Sequence, residues 1–327
     1  MSDPNSLHDR IVAALRAKPD IRFTAREIAE ALVTADPAWA QKKRDRSRQG
    51  ALQTNDSAFL SQIVAEIGAR NPALEVSDGV KTTEDRPRRY YFTAKSDSAE
   101  IEDAEDPPKP AIDPTTSREG IPAVDLPASE YTEASLYPLL SRFLAESLSI
   151  YSKRIDETRS RNDQGRSGNK WLHPDLIGFE ILSRSWVDTV SELAAIQSDR
   201  TTRLWSFEVK KIVNRANVRE VFFQTVSNSS WANFGYLVAT EVTGKGTMDE
   251  LRVLSNQHGI GLIQLDRPQP AESFIQIPAA ERRDVDWAAA SRLAEQNPDA
   301  AAVFEHVRYF YQTRNPQPRF WDHRIGN

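Results

Sequence analysis

The chain has 327 residues, of which 39% are hydrophobic and 27% are charged, and its net charge is −5. This length is about twice that of a common domain, so two domains with separate cores are expected. The absence of cysteine excludes disulfides, thiolate zinc sites and cysteine nucleophiles. The N-terminus has no apolar run like that of a signal peptide, and no stretch reaches the roughly 18 apolar residues of a membrane span. These features predict a cytoplasmic protein with no membrane partner.

The negative charge is concentrated between residues 96 and 130. Ten acidic residues stand there against Lys109 and Arg118, so this segment carries −8 and the rest of the chain +3. Residues 96–129 also contain six prolines, a composition typical of an extended, mobile linker. The sequence therefore predicts a domain at 1–95, an acidic proline-rich linker at 96–129, and a second domain at 130–327 with a C-terminal helical extension. Because the acidity belongs to the linker, it does not exclude nucleic acid as a partner of either domain.

The first domain has the pattern of three helices followed by a hairpin. Leu7, Ile11 and Leu15 recur at helical spacing, and Thr24 with Glu27 three residues later has the spacing of a capping box. A third helix is predicted at 57–69, and two short strands are predicted at 74–76 and 90–93. Three helices and a terminal hairpin are typical of a winged helix-turn-helix domain.

Strands and helices alternate in the second domain. A helix is predicted at 132–153, with Pro138 in its first turn, where proline is tolerated. Strands are predicted at 176–179, 204–209, 235–239 and 261–264, and further helices at 219–228, 248–258 and 287–312. This interleaving predicts an α/β fold built on a sheet.

Two segments of the second domain carry the residues of greatest chemical interest. In the first, Asp175 follows Pro174 and directly precedes an apolar strand. In the second, a strand ends in Glu208-Val209-Lys210. Side chains two residues apart on a strand emerge on the same face, so Glu208 and Lys210 share one face. Asp175 on a neighbouring strand is in a position to meet them there.

These residue types suit hydrolysis of a phosphodiester. Mg²⁺ prefers carboxylate and carbonyl oxygens and keeps several waters, so Asp175, Glu208 and the Val209 carbonyl form a candidate metal site, with Mn²⁺ as the alternative ion. A bound metal lowers the pKa of its water and stabilises charge on a scissile phosphate. The ammonium of Lys210 is suited to orient that water and to pair with the phosphate.

The order of these motifs resembles the PD-(D/E)xK nuclease superfamily, which includes many restriction endonucleases. Asp175, Glu208 and Lys210 match the three residues that name the superfamily. The resemblance extends to Glu133, which corresponds to the acid before the first helix, and to Gln224, on the helix after the E-x-K strand. It covers roughly residues 130–265 and implies a restriction-endonuclease-like mixed sheet in which all five residues serve catalysis.

Two points about the site stay open. A long insert at 180–203 separates Asp175 from Glu208, and it makes Glu180 a competitor of Asp175 as the metal ligand. The alternative without a catalytic role is a solvated Glu208–Lys210 pair beside a turn at Pro174.

Polar residues near these motifs have structural interpretations of their own. His173 is read as a turn residue rather than a ligand, because metal sites cluster their ligands. The residues 228–231 suit a polar helix end followed by a turn, with contact to a DNA backbone as the alternative.

The first domain resembles winged helices of the HARE type through the segment FTAREIAEAL at residues 23–32. Basic side chains suited to DNA phosphates occur in two places, a basic segment and the expected wing. They are Lys42, Lys43, Arg44, Arg46 and Arg48 in the segment, and Arg86, Arg88 and Arg89 in the wing. Asn55 and Ser57, at the start of the third helix, are candidates for contacts to bases. The alternative for the basic segment is a solvated, flexible insert.

Together the two resemblances imply a Mg²⁺-dependent DNA endonuclease that acts on double-stranded DNA. The winged helix would target it, and its role would be restriction or phage defence. A homodimer is the assembly expected for a double-strand cut. The alternatives are a catalytically inactive DNA-binding or transcription-regulating protein that retains the nuclease fold, and an interaction module in which the acidic linker mimics DNA.

Overall fold

The computed structural model of the chain describes residues 6–45, 55–77, 79–84, 86–105, 131–161, 171, 173–197, 201–244 and 246–325. The chain divides into two compact units. The first comprises Met1–Glu130 with the short segments Asn214–Ala216 and Glu241–Met248; the second comprises Tyr131–Val213, Asn217–Thr240 and Asp249–Asn327. Within the described ranges, no helix has both the length and the apolar character needed to cross a membrane.

The first unit combines helices with a small antiparallel sheet. Its helices are α1 (Leu7–Arg16), α2 (Ala25–Ala35), α3 (Pro37–Asp45), α4 (Asp56–Ala69), α5 (Asn71–Leu74) and α6 (Asp97–Glu105). Its strands are β1 (Phe23–Thr24), β2 (Val80–Thr82) and β3 (Arg89–Phe92), in the order β1-β3-β2. Thr24 begins α2 with the predicted capping box, since its side chain accepts from the Glu27 amide and the Glu27 side chain accepts from the Thr24 amide.

The core of the first unit confirms the predicted helical stripes and corrects the first strand of the hairpin. Ile11 and Leu15 of α1 are fully buried together with Ile63 and Ile67 of α4. The strand predicted at 74–76 is wrong, because Leu74 ends the short helix α5 and the strand begins only at Val80. A proline in the first turn of α5 favours a helical start, and Leu74 reaches the core from that turn.

The beginning of the predicted linker is folded. The residues 97–105 form helix α6, in which Glu100 is buried. Lys81 forms ion pairs with Asp97, at 2.6 Å, and with Glu100, and the Tyr91 hydroxyl donates to Glu100 at 3.0 Å. The prediction of an extended chain from residue 96 is wrong here, because these partners compensate the buried carboxylate. The rest of the predicted linker, 106–129, lies outside the described residues.

The second unit is an α/β fold around a six-stranded mixed sheet in the order β4-β5-β6-β7-β8-β9. The strands are β4 (Ile150–Arg154), β5 (Leu176–Ile181), β6 (Thr202–Val213), β7 (Phe234–Val242), β8 (Gly261–Gln264) and β9 (Phe274–Ile277). The helices are α7 (Tyr137–Leu148), α8 (Asp188–Gln197), α9 (Val218–Asn228), α10 (Thr247–His258), α11 (Trp287–Gln296) and α12 (Pro298–Thr313), with a 3-10 turn at Glu133–Ser135 before α7. β5 pairs antiparallel with β4 and β6, β7 pairs parallel with β8, and β9 is antiparallel to β8.

The alternation of side chains along β6 separates two apolar layers. Phe207 and Val209 pack in a core with the residues of α7, whereas Leu204 packs in a second core with the residues of α11 and α12. Glu208 and Lys210 therefore emerge on the face that carries Leu204, opposite to the face of Phe207.

Two helices predicted in this unit differ in the structure: one ends earlier than predicted, and the other is interrupted. Ser149 adopts a left-handed conformation with φ 56° and ends α7, so that the residues after it form β4 instead of further helix. The helix predicted at 287–312 is interrupted at Asn297, whose side chain caps α12 by accepting from the amides of Asp299 and Ala300. Pro298 at the start of α12 prevents continuation from α11, because proline cannot donate the backbone hydrogen bond.

Candidate active site

The backbone around Asp175 fixes this residue between two strands. Its amide donates to the Phe207 carbonyl at 3.0 Å, and its carbonyl accepts from the Ile155 amide at 2.9 Å. Its side-chain Oδ2 accepts from the Val209 amide at 2.6 Å. The structure thus brings Asp175 to the Glu208-Val209-Lys210 segment, as the sequence predicts.

Glu208 and Lys210 form a buried ion pair. Lys210 Nζ lies 2.8 Å from Glu208 Oε1, and Glu208 is only 2% exposed. The second carboxylate oxygen, Oε2, accepts from Asn228 Nδ2 at 3.0 Å. Both oxygens of Glu208 therefore have defined partners, so its carboxylate is held in one orientation.

The turn before α7 adds an acid and a tyrosine. Glu133 Oε2 lies 3.7 Å from Lys210 Nζ, so the predicted Glu133 joins the same cluster. The Tyr137 hydroxyl lies 3.2 Å from both Glu133 Oε1 and Asp175 Oδ1 and can donate its single proton to one of them at a time. Sequence reasoning missed Tyr137; its position four residues after Glu133, at the first turn of α7, was the available signal.

The charges of the cluster perturb one another. Burial and, after it, the negative charge of Asp175 raise the pKa of Glu208 to about 8 against the lowering influence of Lys210. Burial by itself disfavours the charged form of Lys210, but Glu208, Asp175 and Glu133 together leave its pKa raised. Burial, and after it the charges of Asp175 and Glu133, raise the pKa of Tyr137. Because neighbouring buried carboxylates repel each other, they form a site that favours the binding of a cation.

Helix α9 supplies a different residue from the one predicted to contact the acids. Gln224 is buried one turn before Asn228 and on the same helix face, and among the described atoms its Oε1 has no hydrogen-bond partner. The observed contact to Glu208 is made by Asn228 instead. The carbonyl of Asn228 accepts from the buried Trp231 indole at 2.8 Å, which agrees with the expected turn after the helix.

Glu180 is not an alternative to Asp175 in this cluster. Its Oε2 accepts from the Trp205 indole at 3.1 Å, on the face that packs against α7, whereas Glu208 emerges on the opposite face. Glu180 is also five residues from Asp175, about 16 Å along an extended strand. His173 is buried, and burial lowers its pKa.

The donor set suits a hard divalent cation. Among the residues that the structure describes, no group of three or more histidine, cysteine, aspartate or glutamate side chains is arranged to hold a metal. Asp175, Glu208 and the Val209 carbonyl supply two carboxylates and one carbonyl, which fits Mg²⁺ because this ion usually binds through one or two carboxylates and retains water.

The predicted basic segment of the first unit is partly helical and partly paired. Lys42, Lys43 and Arg44 lie in the last turn of α3. Lys43 pairs with Glu66 at 2.8 Å, and Arg44 pairs with Asp56 at 2.6 Å. The described part of this segment is therefore not a solvated loop, and of these three residues only Lys42 is exposed. Arg46 and Arg48 lie outside the described residues.

The predicted wing and base-contacting residues also have partners within the fold. Arg88 pairs with Glu84 at 2.9 Å, the Arg89 amide donates to the Thr83 hydroxyl, and Arg86 is exposed. Asn55 caps α4 by accepting from the Ala58 amide at 3.1 Å, and the Ser57 carbonyl accepts from the Ser61 hydroxyl. These contacts stabilise the fold and leave the predicted DNA contacts untested.

Comparison with known proteins identifies no relative: no family model, no curated protein and no solved structure matches the chain.

Proposed function

We propose that the chain is a metal-dependent nuclease that hydrolyses phosphodiester bonds in DNA. The observation that carries this proposal is that Asp175, from a different part of the sequence, binds the Val209 amide between the paired Glu208 and Lys210. A solvated surface pair would not need this burial, and an acid cluster held only for stability is costly, because taking charges out of water opposes folding. Clusters with perturbed pKa values are typical of functional sites.

The protein groups divide the work of such a reaction. A divalent ion held by Asp175, Glu208 and the Val209 carbonyl would supply Lewis-acid chemistry and a nucleophilic water. Lys210, kept charged by the surrounding acids, would orient the attacking water and neutralise a phosphate oxygen. Asn228 and Tyr137 would hold the carboxylates of Glu208 and Asp175 in place.

The proposal extends to the first unit as a winged-helix reader of double-stranded DNA. Its support is the order of helices and the small antiparallel sheet, together with the exposed basic side chains of Lys42 and Arg86. We further propose a restriction or phage-defence role in the cytoplasm, and a homodimer for double-strand cleavage, since the described residues of each chain form one such cluster.

A second candidate function is an inactive DNA-binding or transcription-regulating protein with the nuclease fold. One observation favours it. The Lys210 ammonium already neutralises the Glu208 carboxylate at 2.8 Å, so this carboxylate has a partner without a bound metal ion.

A cleavage assay separates the two candidates. Supercoiled plasmid and phage DNA are incubated with the full chain and Mg²⁺ or Mn²⁺, with EDTA as the metal-free control. Glu208→Gln and Lys210→Met should abolish cleavage. Glu180→Gln is the matched control, because it changes an acid on the opposite sheet face. Cleavage that survives EDTA or both site variants, or DNA binding with no cleavage in either metal, contradicts the nuclease proposal.

A further inference from the structure

An exposed tryptophan lies next to the cluster. Trp171 is four residues before Asp175, and 42% of its surface is exposed. Its carbonyl accepts from the Ser227 hydroxyl at 3.2 Å. Ser227 directly precedes Asn228, whose amide donates to Glu208. The backbone of Trp171 is therefore attached to the end of α9 beside the acids, while its indole is open to solvent.

The chain length between Trp171 and Asp175 limits their separation. Four extended residues span at most about 14 Å. One strand of B-form DNA advances about 3.4 Å per nucleotide, so the indole is within about four nucleotides of any phosphate bound at the cluster. It is close enough to contact the same substrate strand.

The chemistry of an indole selects what it would bind. Its flat apolar face stacks on the flat face of a nucleobase, and this interaction tolerates any base. Inside a duplex both faces of a base are covered by its neighbours. A free base face is offered by unpaired, terminal or extruded nucleotides.

We propose that Trp171 is a stacking platform for an unpaired base next to the bond that is cut. The preferred substrate would then be DNA with unpaired nucleotides, such as a single-stranded, gapped or frayed region, rather than intact duplex. The cleavage preference rests on the proposed nuclease function, whereas the base-stacking part can be tested without it.

The binding test uses single-stranded oligonucleotides in EDTA. Each 12-nucleotide probe carries one 2-aminopurine, whose fluorescence is quenched when it stacks on an indole, and the position of this base is varied along the probe. We expect one position to be quenched by the full chain. Trp171→Ala should remove the quenching and weaken binding roughly 5- to 150-fold, as expected for the loss of one base–aromatic stack. Trp171→Phe should retain part of both effects.

Trp287→Ala is the matched control, because Trp287 is 63% exposed at the start of α11 and has no place in the proposal. Circular dichroism verifies that each variant is folded. Equal binding and quenching by wild type and Trp171→Ala, or an equal loss in Trp287→Ala, overturns the stacking platform.

The cleavage test compares gapped with intact duplex in Mg²⁺. Trp171→Ala should lose the preference for the gapped substrate, whereas Trp287→Ala should keep the wild-type preference. Quenching that depends on Trp171 without any cleavage supports the platform and contradicts the nuclease. Cleavage that depends on Glu208 with no preference for the gap, and no Trp171-dependent quenching, contradicts the platform and supports the nuclease.

Discussion

Replacing Lys210 by methionine should destabilise the second unit strongly, and the size of the effect follows from burial. Glu208 is 2% exposed, and Lys210 is its closest cation, at 2.8 Å. Above about pH 8, where Glu208 is ionised, removing one partner of this buried ion pair leaves an uncompensated charge and costs about 3–5 kcal/mol. For a unit of this size, 1 kcal/mol corresponds to about 2–4 °C in Tm, so the Lys210→Met variant should melt roughly 6–20 °C lower.

The loss should depend on pH in a defined direction. The pKa of Glu208 is raised from 4.5 to about 8, so the folded protein holds this proton more tightly than the unfolded chain. The stability contributed by this proton is complete below pH 4.5 and is lost as the pH rises to about 8 in wild type. Lys210 lowers the pKa of Glu208, so Lys210→Met should raise that pKa further, and the difference in Tm between the variant and wild type should widen as the pH rises above about 8.

The assay is thermal unfolding followed by tryptophan fluorescence without added metal. Of the seven tryptophans only Trp39 belongs to the first unit, so the signal reports mainly on the second. The double variant Glu208→Gln, Lys210→Met removes both charges and should recover most of the lost stability, because neutral replacement of a buried pair is often harmless. A single variant that melts with wild type at pH 9, or a double variant no more stable than the single one at that pH, would refute the reasoning.

Three further predictions concern contacts around the site and in the first unit. Asn228→Ala should leave Glu208 without its amide donor and lower metal affinity about 10–100-fold; a Mg²⁺ titration of cleavage measures this, and an unchanged titration contradicts it. Tyr137→Phe should keep the fold, cost about 0.5–1.5 kcal/mol of stability and reduce cleavage, and urea unfolding with a parallel rate measurement checks both effects. Lys81→Met should expose α6 to proteolysis, because it leaves the buried Glu100 without its ammonium partner, a loss of about 3–5 kcal/mol. The double variant Lys81→Met, Glu100→Gln should restore protection. Equal digestion of wild type and Lys81→Met would speak against this role of Lys81.

The local pattern of the sequence was sufficient for several elements. The capping box at Thr24 and the strand at 261–264 were predicted because their signals lie within a few neighbouring residues. The shared face of Glu208 and Lys210 follows from the two-residue repeat of a strand. The position of Asp175 before an apolar run predicted that it lies at a strand end, and the register of β5 with β6 brings Asp175 to Glu208 and Lys210.

Other features depend on which residues meet across the fold. The residues 97–105 have a composition typical of a linker, yet they form α6 because Lys81 and Tyr91, distant in sequence, compensate Glu100. Glu180 and Asp175 were equivalent candidates in the sequence, and only the contact with Trp205 assigns Glu180 to the other face.

The sequence by itself determined the residue types of the site and the periodicity that aligns them. The tertiary structure decided that Tyr137 and Asn228 are the hydrogen-bond partners of the carboxylates of Asp175 and Glu208. A hydrogen bond between distant segments depends on strand register and helix packing. Local propensity carries no information on those distances. Burial of the cluster, which perturbs the pKa values of Glu208 and Lys210, likewise arises only when the layers pack on both faces of the sheet.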